Sequence, residues 1–355
     1  MRTRRSFLAA GLVCVLVGGA LIAACATFAP ARYQGAVSDH FDGRRFHNLA
    51  PHIQRDLGQL FRWLRDRDPG PWEMAANDLW PKPPSRVTEP GALRVTFVNH
   101  STVLLQLAGL NLLTDPIWSP RASPVSFAGP KRYREPGIPF HALPAIDAIV
   151  VSHGHYDHMD IPTLKRLSER DRPRILVPLG HAALLRRKGI DQVEELDWWD
   201  QVEVAPGVRI IPVPVQHWTA RGLFDRNLAL WCGFVVDAPG GPIYFAGDTG
   251  YAAHFSMARD RFGPMRLALL PIGAYLPRWF MKSMHTSPED VLMARDDLAA
   301  KRAMAIHFGT FQLGDDGQFQ ATTQLARLRA QANLDDREFW IPDFGEGRDI
   351  SPLDQ

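Results

Sequence analysis

Short apolar segments that are followed at once by a histidine or an aspartate recur along this chain. The segments are residues 145–152, 208–215, 243–247 and 303–306, and their apolar character predicts buried strands. The first is followed by the cluster His153-Gly-His-Tyr-Asp-His158, and the others by His217, Asp248 and His307. One histidine after a strand is weak evidence for a site, but the recurrence of strand and ligand indicates a metal centre.

Other segments predict the elements around this centre. Residues 93–98, 101–107, 110–114 and 174–178 predict strands, and Ala108-Gly109 predicts a hairpin turn. Apolar residues at helical spacing predict a helix over residues 51–66, which would pack on the main domain or lie on a membrane, with packing favoured. Further helices are predicted over residues 181–189, after Asp160, and after a cap at Ser287 followed by Pro288.

The amino-terminal segment has the character of a targeting signal. Residues 1–24 combine a basic start with an apolar run, and residues 3–8 resemble a twin-arginine export motif. Residues 22–25 resemble a bacterial lipobox, in which Cys25 is lipidated. An uncleaved membrane anchor is the alternative. We therefore predict a signal peptide over residues 1–24, an anchor, linker and helical wrap over residues 25–90, and a main domain over residues 91–350.

Charge and cysteine content argue against a nucleic-acid binder and against a protein stabilised by disulfides. The formal net charge is +2, and taking the three signal arginines from 40 basic residues leaves 37 against 38 acidic ones. A mature chain without a basic excess is a poor nucleic-acid binder. Processing would leave only Cys232 beside the lipidated Cys25, which excludes an intramolecular disulfide. The apolar run around Cys232 predicts a core residue.

The ligand residues sort into a site for two metals. Histidine and aspartate bind zinc and similar metals well, and the cluster alone holds too many ligands for one closed site. We predict two Zn²⁺ ions per chain, with Mn²⁺ or Fe²⁺ as alternatives. One ion would be held by His153, His155 and His217, the other by Asp157, His158 and His307, with Asp248 bridging. His100 and Asp115, at strand ends, would either approach the metals or make structural hydrogen bonds.

The pattern His-x-His-x-Asp-His, followed by separate His, Asp and His, resembles the metallo-β-lactamase superfamily. The chain is similar in particular to its branch of N-acylphosphatidylethanolamine-hydrolysing phospholipases D. Motifs that carry this resemblance include Leu113-Thr-Asp-Pro-Ile117, Gly129-Pro-Lys-Arg132, Glu195-Leu-Asp-Trp-Trp199, Phe245-Ala-Gly-Asp-Thr-Gly-Tyr251 and Pro277-Arg-Trp-Phe-Met-Lys282. The resemblance implies an α/β fold, a four-layer αββα sandwich with a dinuclear site at one sheet edge, and it carries the zinc ligands over to all seven positions.

The candidate substrate surface is an aromatic and cationic loop. Trp279 and Phe280 would contact acyl chains and Arg278 or Lys282 would meet phosphate, with Tyr275 and Met284 beside them. The alternative is core packing and a solvated arginine. Met284 stands where the family pattern has Gln, and Ser126 and Phe127 stand where it has Gln and Tyr. These departures leave the chemistry intact and leave the head-group or acyl preference open. His285, just before a helix, would act as a general acid or as a hydrogen-bond donor, and with Asp157 and Asp248 completes the predicted catalytic set.

The resemblance implies a dinuclear zinc phosphodiesterase of phospholipase D type. It would hydrolyse N-acylphosphatidylethanolamine to N-acylethanolamine and phosphatidic acid by a metal-bridging hydroxide, since zinc lowers the pKa of bound water from 15.7 to about 7. Two alternatives stay open: a lactonase or another small-substrate metallo-hydrolase, and a non-catalytic envelope lipoprotein. A lipid anchor at Cys25 predicts a location in the cell envelope facing the periplasm, with the outer membrane favoured. A homodimer is left open.

Overall fold

Two mixed sheets form the centre of the computed structural model, which describes residues 33–50, 57–78 and 82–353. The signal segment, Cys25 and the start of the predicted helix over residues 51–66 lie outside the described residues. The first sheet has the order β14-β1-β2-β3-β4-β5-β6, with β1 (Leu93–Asn99), β2 (Thr102–Leu107), β3 (Leu110–Thr114), β4 (Ala148–Val150), β5 (Arg174–Pro178), β6 (Val193–Leu196) and β14 (Gly347–Asp349). Strands β14 to β3 pair antiparallel, and β3 to β6 pair parallel.

The second sheet repeats this arrangement. Its order is β13-β12-β11-β10-β9-β8-β7, with β7 (Val202–Ala205), β8 (Val208–Val213), β9 (Gly233–Asp237), β10 (Ile243–Phe245), β11 (Leu267–Pro271), β12 (Ala303–Ile306) and β13 (Phe339–Trp340). Strands β7 to β10 pair antiparallel, and β10 to β13 pair parallel. Parallel strands end at the same edge of a sheet, so the residues that follow them are brought together.

The main core lies between the two sheets. It contains Val95 and Phe97 from the first sheet and Val235, Phe245 and Leu269 from the second, all of them buried. Alternate residues of the first sheet point to its other face, where Val98 and Ile149 pack on Leu164, Leu184 and Leu185 of two helices. Strands covered on both faces must be apolar throughout, which explains the continuous apolar segments of the sequence.

Helices lie outside both sheets. They are α1 (Leu57–Arg65), α2 (Ile161–Asp171), α3 (Ala182–Arg187), α4 (His254–Phe262), α5 (Arg278–Met281), α6 (Pro288–Asp297) and α7 (Gln320–Gln331), with a 3-10 turn at Phe140–Ala142. Helices α2 and α3 cover the first sheet, while α4, α6 and α7 contribute Phe255, Val291 and Leu325 to the apolar cluster that includes the second sheet. The αββα prediction is therefore confirmed. Among the described residues no helix is both long and apolar enough to cross a membrane.

Local predictions agree with the structure except at strand ends. Ala108 (φ 48°) and Gly109 (φ 74°) form the predicted hairpin turn, and Ser287 caps α6 in a capping box with Asp290. The strand predicted over residues 145–152 is shorter, because the Ile146 N–H donates to Asp171 Oδ2 (3.0 Å). Regular pairing in β4 begins only beyond that residue. Cys232 is buried, as predicted for a core position.

Candidate metal centre

The seven predicted ligands meet at one edge of the sandwich. The cluster over residues 153–158 follows β4 of the first sheet. His217, Asp248 and His307 follow β8, β10 and β12 of the second sheet. Ligand atoms within 4.8 Å of one another form overlapping groups: His153, His155 and His217; His100, Asp157, His158 and His307; Asp248, His285 and His307; and Asp115, His153 and His158.

Three imidazoles form the first half of the centre. His155 Nδ1 lies 2.8 Å from His153 Nε2 and 3.4 Å from His217 Nε2. His153 and His217 are fully enclosed, with 1% and 0% of their surface exposed. Three nitrogens that face one another at these distances could hold one divalent metal ion together.

Carboxylates connect this group to the second half. Asp157 Oδ2 lies 3.2 Å from His158 Nε2 and 3.4 Å from His307 Nε2. Asp248 faces both halves, since its oxygens lie 3.2 Å from His158 Nε2, 3.1 Å from His307 Nε2 and 3.9 Å from His217 Nε2. Asp248 thus occupies the position that a bridging ligand requires.

Hydrogen bonds on the outer side fix which nitrogen of each ring faces inward. His158 Nδ1 lies 2.6 Å from Asp115 Oδ2, and the same carboxylate accepts from Ser152 N and Oγ, both at 2.6 Å. Ser152 Oγ in turn lies 2.9 Å from His153 Nδ1, and His217 Nδ1 donates to the Met284 carbonyl (2.9 Å). The Nε2 atoms of these three rings are therefore the ones left for a metal, as in carboxylate–histidine–metal arrangements.

The inward atoms fit a divalent cation. His158 Nε2, His307 Nε2 and Asp248 Oδ1 are buried, and no described residue makes an aligned hydrogen bond to them despite the short distances. Buried polar atoms nearly always have a hydrogen-bond partner, so a convergent set without one points to a ligand. The donors are imidazole and carboxylate, which suit zinc, manganese or iron.

The electrostatics of the centre also favour a cation. Burial lowers the pKa of His153 and His217 well below the usual value, and that of His155 to about 3, so these rings are neutral ligands. Burial alone would raise the pKa of Asp157 and Asp248, but the neighbouring imidazoles outweigh it and hold both carboxyl pKa values well below their usual range.

At the imidazoles of the second half, protons compete with a metal ion for the ring nitrogens. Burial alone would lower the pKa of His158 and His307, but Asp248 and the other nearby carboxylates outweigh it. They raise the pKa of His158 well above its usual value and that of His307 to about 9. A proton and a metal ion bind the same nitrogens, so metal binding releases protons.

Two residues that the sequence left open belong to this centre. Asp115 orients His158 and, through Ser152, His153; the signal for it was its place after β3, the strand beside β4. His100 Nε2 lies 3.0 Å from Asp157 Oδ2. His100, Asp115 and His307 all have positive φ (49°, 35° and 60°), a costly conformation for residues other than glycine that concentrates at functional sites.

The predicted substrate residues lie beside the centre, in packed surroundings. Tyr275 is buried and its hydroxyl donates to Gln324 Oε1 (2.6 Å). Arg278 donates to Asp290 Oδ2 (2.6 Å) and to the His285 carbonyl (2.9 Å). Phe280 stacks on Trp63 of α1 with ring centroids 5.0 Å apart. The helix α1 therefore packs on the main domain, as predicted.

The remaining predicted residues differ in exposure. Met284 is buried beside Phe280, and its carbonyl accepts from His217. Trp279 keeps 40% of its surface exposed, with the Arg62 guanidinium 4.9 Å from its ring centroid. His285 faces the metal centre, with Nδ1 at 3.8 Å from Asp248 Oδ2. Contact of any of these side chains with a substrate stays a prediction.

Comparisons with known proteins agree with this geometry. A family model described as the beta-lactamase superfamily domain matches residues 110–308, more than half of the chain. The chain belongs to the metallo-β-lactamase superfamily. The predicted likeness to its N-acylphosphatidylethanolamine-hydrolysing branch is confirmed by similarity to curated proteins. N-acyl-phosphatidylethanolamine-hydrolyzing phospholipase D 1 of Caenorhabditis elegans is 39% identical over 72% of this chain and 75% of that protein.

Other relatives fit the same picture. The mitochondrial N-acyl-phosphatidylethanolamine-hydrolyzing phospholipase D of Saccharomyces cerevisiae is 37% identical over 71% of this chain, which spans 54% of that relative. Among solved structures, isothiocyanate hydrolase from Delia radicum gut bacteria superposes with a TM-score of 0.58 at 23% identity, covering 73% of this chain and 99% of that one. At this identity the structural match shows the fold alone. Together the family and the site define a metal-dependent hydrolase.

Proposed function

We propose that this protein is a dinuclear zinc phosphodiesterase that hydrolyses N-acylphosphatidylethanolamine-like phospholipids. The observation that carries the proposal is the bridging position of Asp248 between two His/Asp ligand groups, in a chain 39% identical to a phospholipase D that hydrolyses N-acylphosphatidylethanolamine. Dinuclear sites of this kind clamp the attacking and leaving oxygens of a displacement at phosphorus.

The reaction balances as a hydrolysis of one phosphodiester bond. Water adds its hydroxyl to phosphorus, the bond from phosphorus to the ethanolamine oxygen breaks, and the leaving oxygen takes a proton. The products are an N-acylethanolamine and phosphatidic acid. When bound, zinc supplies a nucleophile at neutral pH by lowering the pKa of coordinated water from 15.7 to about 7 and neutralises charge that develops on oxygen.

The residues of the chain hold and orient the reacting groups. His153, His155 and His217 would hold one metal and Asp157, His158 and His307 the other, and Asp248 would be shared between them. Burial lowers the pKa of His285 to about 4, so its ring is neutral at pH 7. This favours the hydrogen-bond donor over the general acid, the two roles the sequence left open for His285. Arg278 supports the position of His285 by donating to its carbonyl.

The deciding experiment compares substrate classes with the purified full-length protein. We expect mass spectrometry to detect N-acylethanolamine and phosphatidic acid from N-acylphosphatidylethanolamine vesicles. We also expect elemental analysis to find about two metal ions per chain. A lactone panel run in parallel tests the rival hydrolase activity, and turnover of lactones without lipid products would reject the lipid proposal. Intact metal binding without turnover of either class would support the non-catalytic alternative.

The envelope location is a separate part of the proposal. Cys25 is proposed as the lipidated first residue of the mature protein, which would hold the enzyme at a membrane, with the outer membrane favoured. Incorporation of labelled palmitate into the wild type, and its loss in Cys25→Ala, is the expected result. Export should stop when Arg4 and Arg5 are both changed to Lys. Normal export of that variant would reject the twin-arginine route.

A further inference from the structure

A buried turn of the first sheet reaches across to the second sheet at the metal centre. His100 lies between β1 and β2 with a left-handed backbone (φ 49°) and only 1% of its surface exposed. Its N–H donates to Thr310 Oγ1 (3.0 Å), and its carbonyl accepts from the His307 N–H (2.7 Å). The backbone at His100 is thus tied on both sides to the segment that follows β12.

The ring of His100 touches two of the predicted ligands. Nε2 lies 3.0 Å from Asp157 Oδ2, and the ring centroid lies 4.0 Å from that of His307. Asp157 follows β4 in the first sheet, whereas His307 follows β12 in the second. A single side chain therefore contacts one ligand from each sheet.

The chemistry of the Asp157 contact assigns a role to His100. The contact at 3.0 Å is an aligned hydrogen bond in which Nε2–H donates and the carboxylate accepts, whereas His158 Nε2 and His307 Nε2 lie 3.1–3.2 Å from Asp248 oxygens without an aligned bond. A protonated nitrogen cannot also bind a metal. His100 Nε2 is therefore a donor to a ligand rather than a ligand itself, the relation that outer partners have to metal-binding residues.

We infer that His100 is a positioning residue that fixes Asp157 and His307 across the two sheets and so sets the affinity of the second metal position. The inference rests on the metal centre of the proposed function and not on its lipid substrate. His100 acts on the Asp157 carboxylate through Nε2–H and on His307 through its carbonyl and ring. The His153, His155 and His217 group makes none of these contacts within the described residues.

Two amide substitutions at His100 distinguish the role of the Nε2–H donor from the role of the backbone at this position. The Gln side chain places its amide nitrogen near the position of histidine Nε2, and the Asn side chain places its own near Nδ1. His100→Gln can therefore still donate to Asp157, whereas His100→Asn cannot reach it. Asn also tolerates a left-handed backbone. His40→Gln is the matched control. His40 is a buried histidine bonded to the carboxylates of Asp39 and Asp197 and stacked on Trp198, none of which is a predicted metal ligand.

The experiment titrates metal-depleted full-length protein with Zn²⁺ against a competing chelator, with circular dichroism to check folding. The wild type and His40→Gln should bind two equivalents with the same affinities. His100→Asn should bind the first equivalent normally and the second about 10–100-fold more weakly. His100→Gln should recover most of that loss. If His100→Asn does not fold, Thr310→Val, which removes the acceptor of the His100 N–H, should weaken the same equivalent to a smaller extent.

Two results would overturn the inference. One is that the folded His100→Asn protein binds the second Zn²⁺ equivalent with wild-type affinity. If His100→Asn does not fold, the same result with Thr310→Val counts instead. The other is an equal loss of affinity for the second equivalent in His100→Gln and His100→Asn, which would show that the loss does not come from removing the Nε2–H donor. A wild type that binds no metal at all is a different outcome, because it would reject the metal centre of the proposed function itself.

Discussion

The metal centre and the wall beside it differ in whether other side chains of the protein satisfy their polar and aromatic groups. We define the wall as the packed side chains of α1 and α5 and their neighbours Met284 and Trp218. In the centre, imidazole and carboxylate atoms converge, and several of them lack an aligned hydrogen bond from any described residue. In the wall, the charged and aromatic groups are engaged by protein: Arg278 by Asp290 and the His285 carbonyl, Phe280 by Trp63. Convergent, unsatisfied atoms identify a site more reliably than residue type.

The largest expected effect is at the bridging residue of the centre. Asp248→Asn replaces an anionic bridge by a neutral amide of the same shape, so hydrolysis should be lost to a greater extent than the about 10–100-fold typical of an outer-shell change. The fold should remain, because the substitution preserves volume. A product assay measures hydrolysis, elemental analysis measures the metal content, and circular dichroism checks the fold. Activity close to that of the wild type would show that Asp248 has no role in the mechanism. The convergent atoms of the centre would then not mark a catalytic site, and the centre would not differ from the wall in this respect.

The second effect tests whether the wall is packing or binding surface. Phe280 is 7% exposed and stacks on Trp63, so Phe280→Ala should lower the free energy of unfolding by about 3–5 kcal/mol. Trp279 is 40% exposed and meets Phe280 edge-on with ring centroids 5.5 Å apart, so the matched neighbouring substitution Trp279→Ala should cause a smaller loss. Urea unfolding measures both. If Phe280→Ala is as stable as Trp279→Ala, the wall is not a packed unit.

A third prediction concerns the support of the centre. Asp115→Asn removes the carboxylate that accepts from His158 and Ser152, so metal affinity or activity should fall by about 10–100-fold. The loss should be smaller than that of Asp248→Asn, since no metal ligand is removed. Metal titration and product assay on the same preparation measure it. A larger loss than that of Asp248→Asn would mean that Asp115 itself is a ligand.

The smallest expected effect comes from a histidine outside both regions. Burial alone would lower the pKa of His40, but its hydrogen bonds to Asp197 (2.7 Å) and Asp39 (2.6 Å) outweigh burial and raise that pKa. A raised pKa means that the folded state binds the proton more tightly. The resulting stability is therefore present below the usual value of about 6.5 and is lost as pH rises through the folded-state pKa.

His40→Gln should remove this pH dependence while metal content stays unchanged. Urea unfolding of the wild type and the variant at pH 6 and pH 9 gives the comparison, and the stability difference should be greater at pH 6. An equal difference at both pH values would contradict the prediction. The result expected here would show that His40 with Asp39 and Asp197 forms a simple ion pair. The metal centre differs from it because several imidazoles converge there.

Much of the centre followed from local sequence. A short continuous apolar run is typical of a strand covered on both faces, and β4, β10 and β12 are such strands. The ligands come immediately after them, so the positions of His153, Asp248 and His307 could be predicted without knowing the sheet order. Ser287 and Asp290 similarly predicted the start of α6, because a capping box is a local arrangement.

The wall could not be predicted in this way. Residues 275–280 offer aromatic and cationic groups, and local sequence leaves open whether they face a ligand or a neighbouring element. The partners of Arg278 and Phe280 are Asp290 and Trp63, and Trp63 is more than two hundred residues away in sequence. The choice between packing and exposure is therefore made by tertiary contacts.

The sequence by itself determined the ligand types and their attachment to strand ends, since these depend on apolar periodicity and on the chemistry of single side chains, and its resemblance to a known family implied the αββα architecture. Only the tertiary structure decided that Asp115 and His100, whose roles the sequence left open, hold His158 and Asp157 from outside. These relations join residues that follow different strands. Their geometry is fixed by strand order and sheet packing, and no short stretch of sequence contains that information.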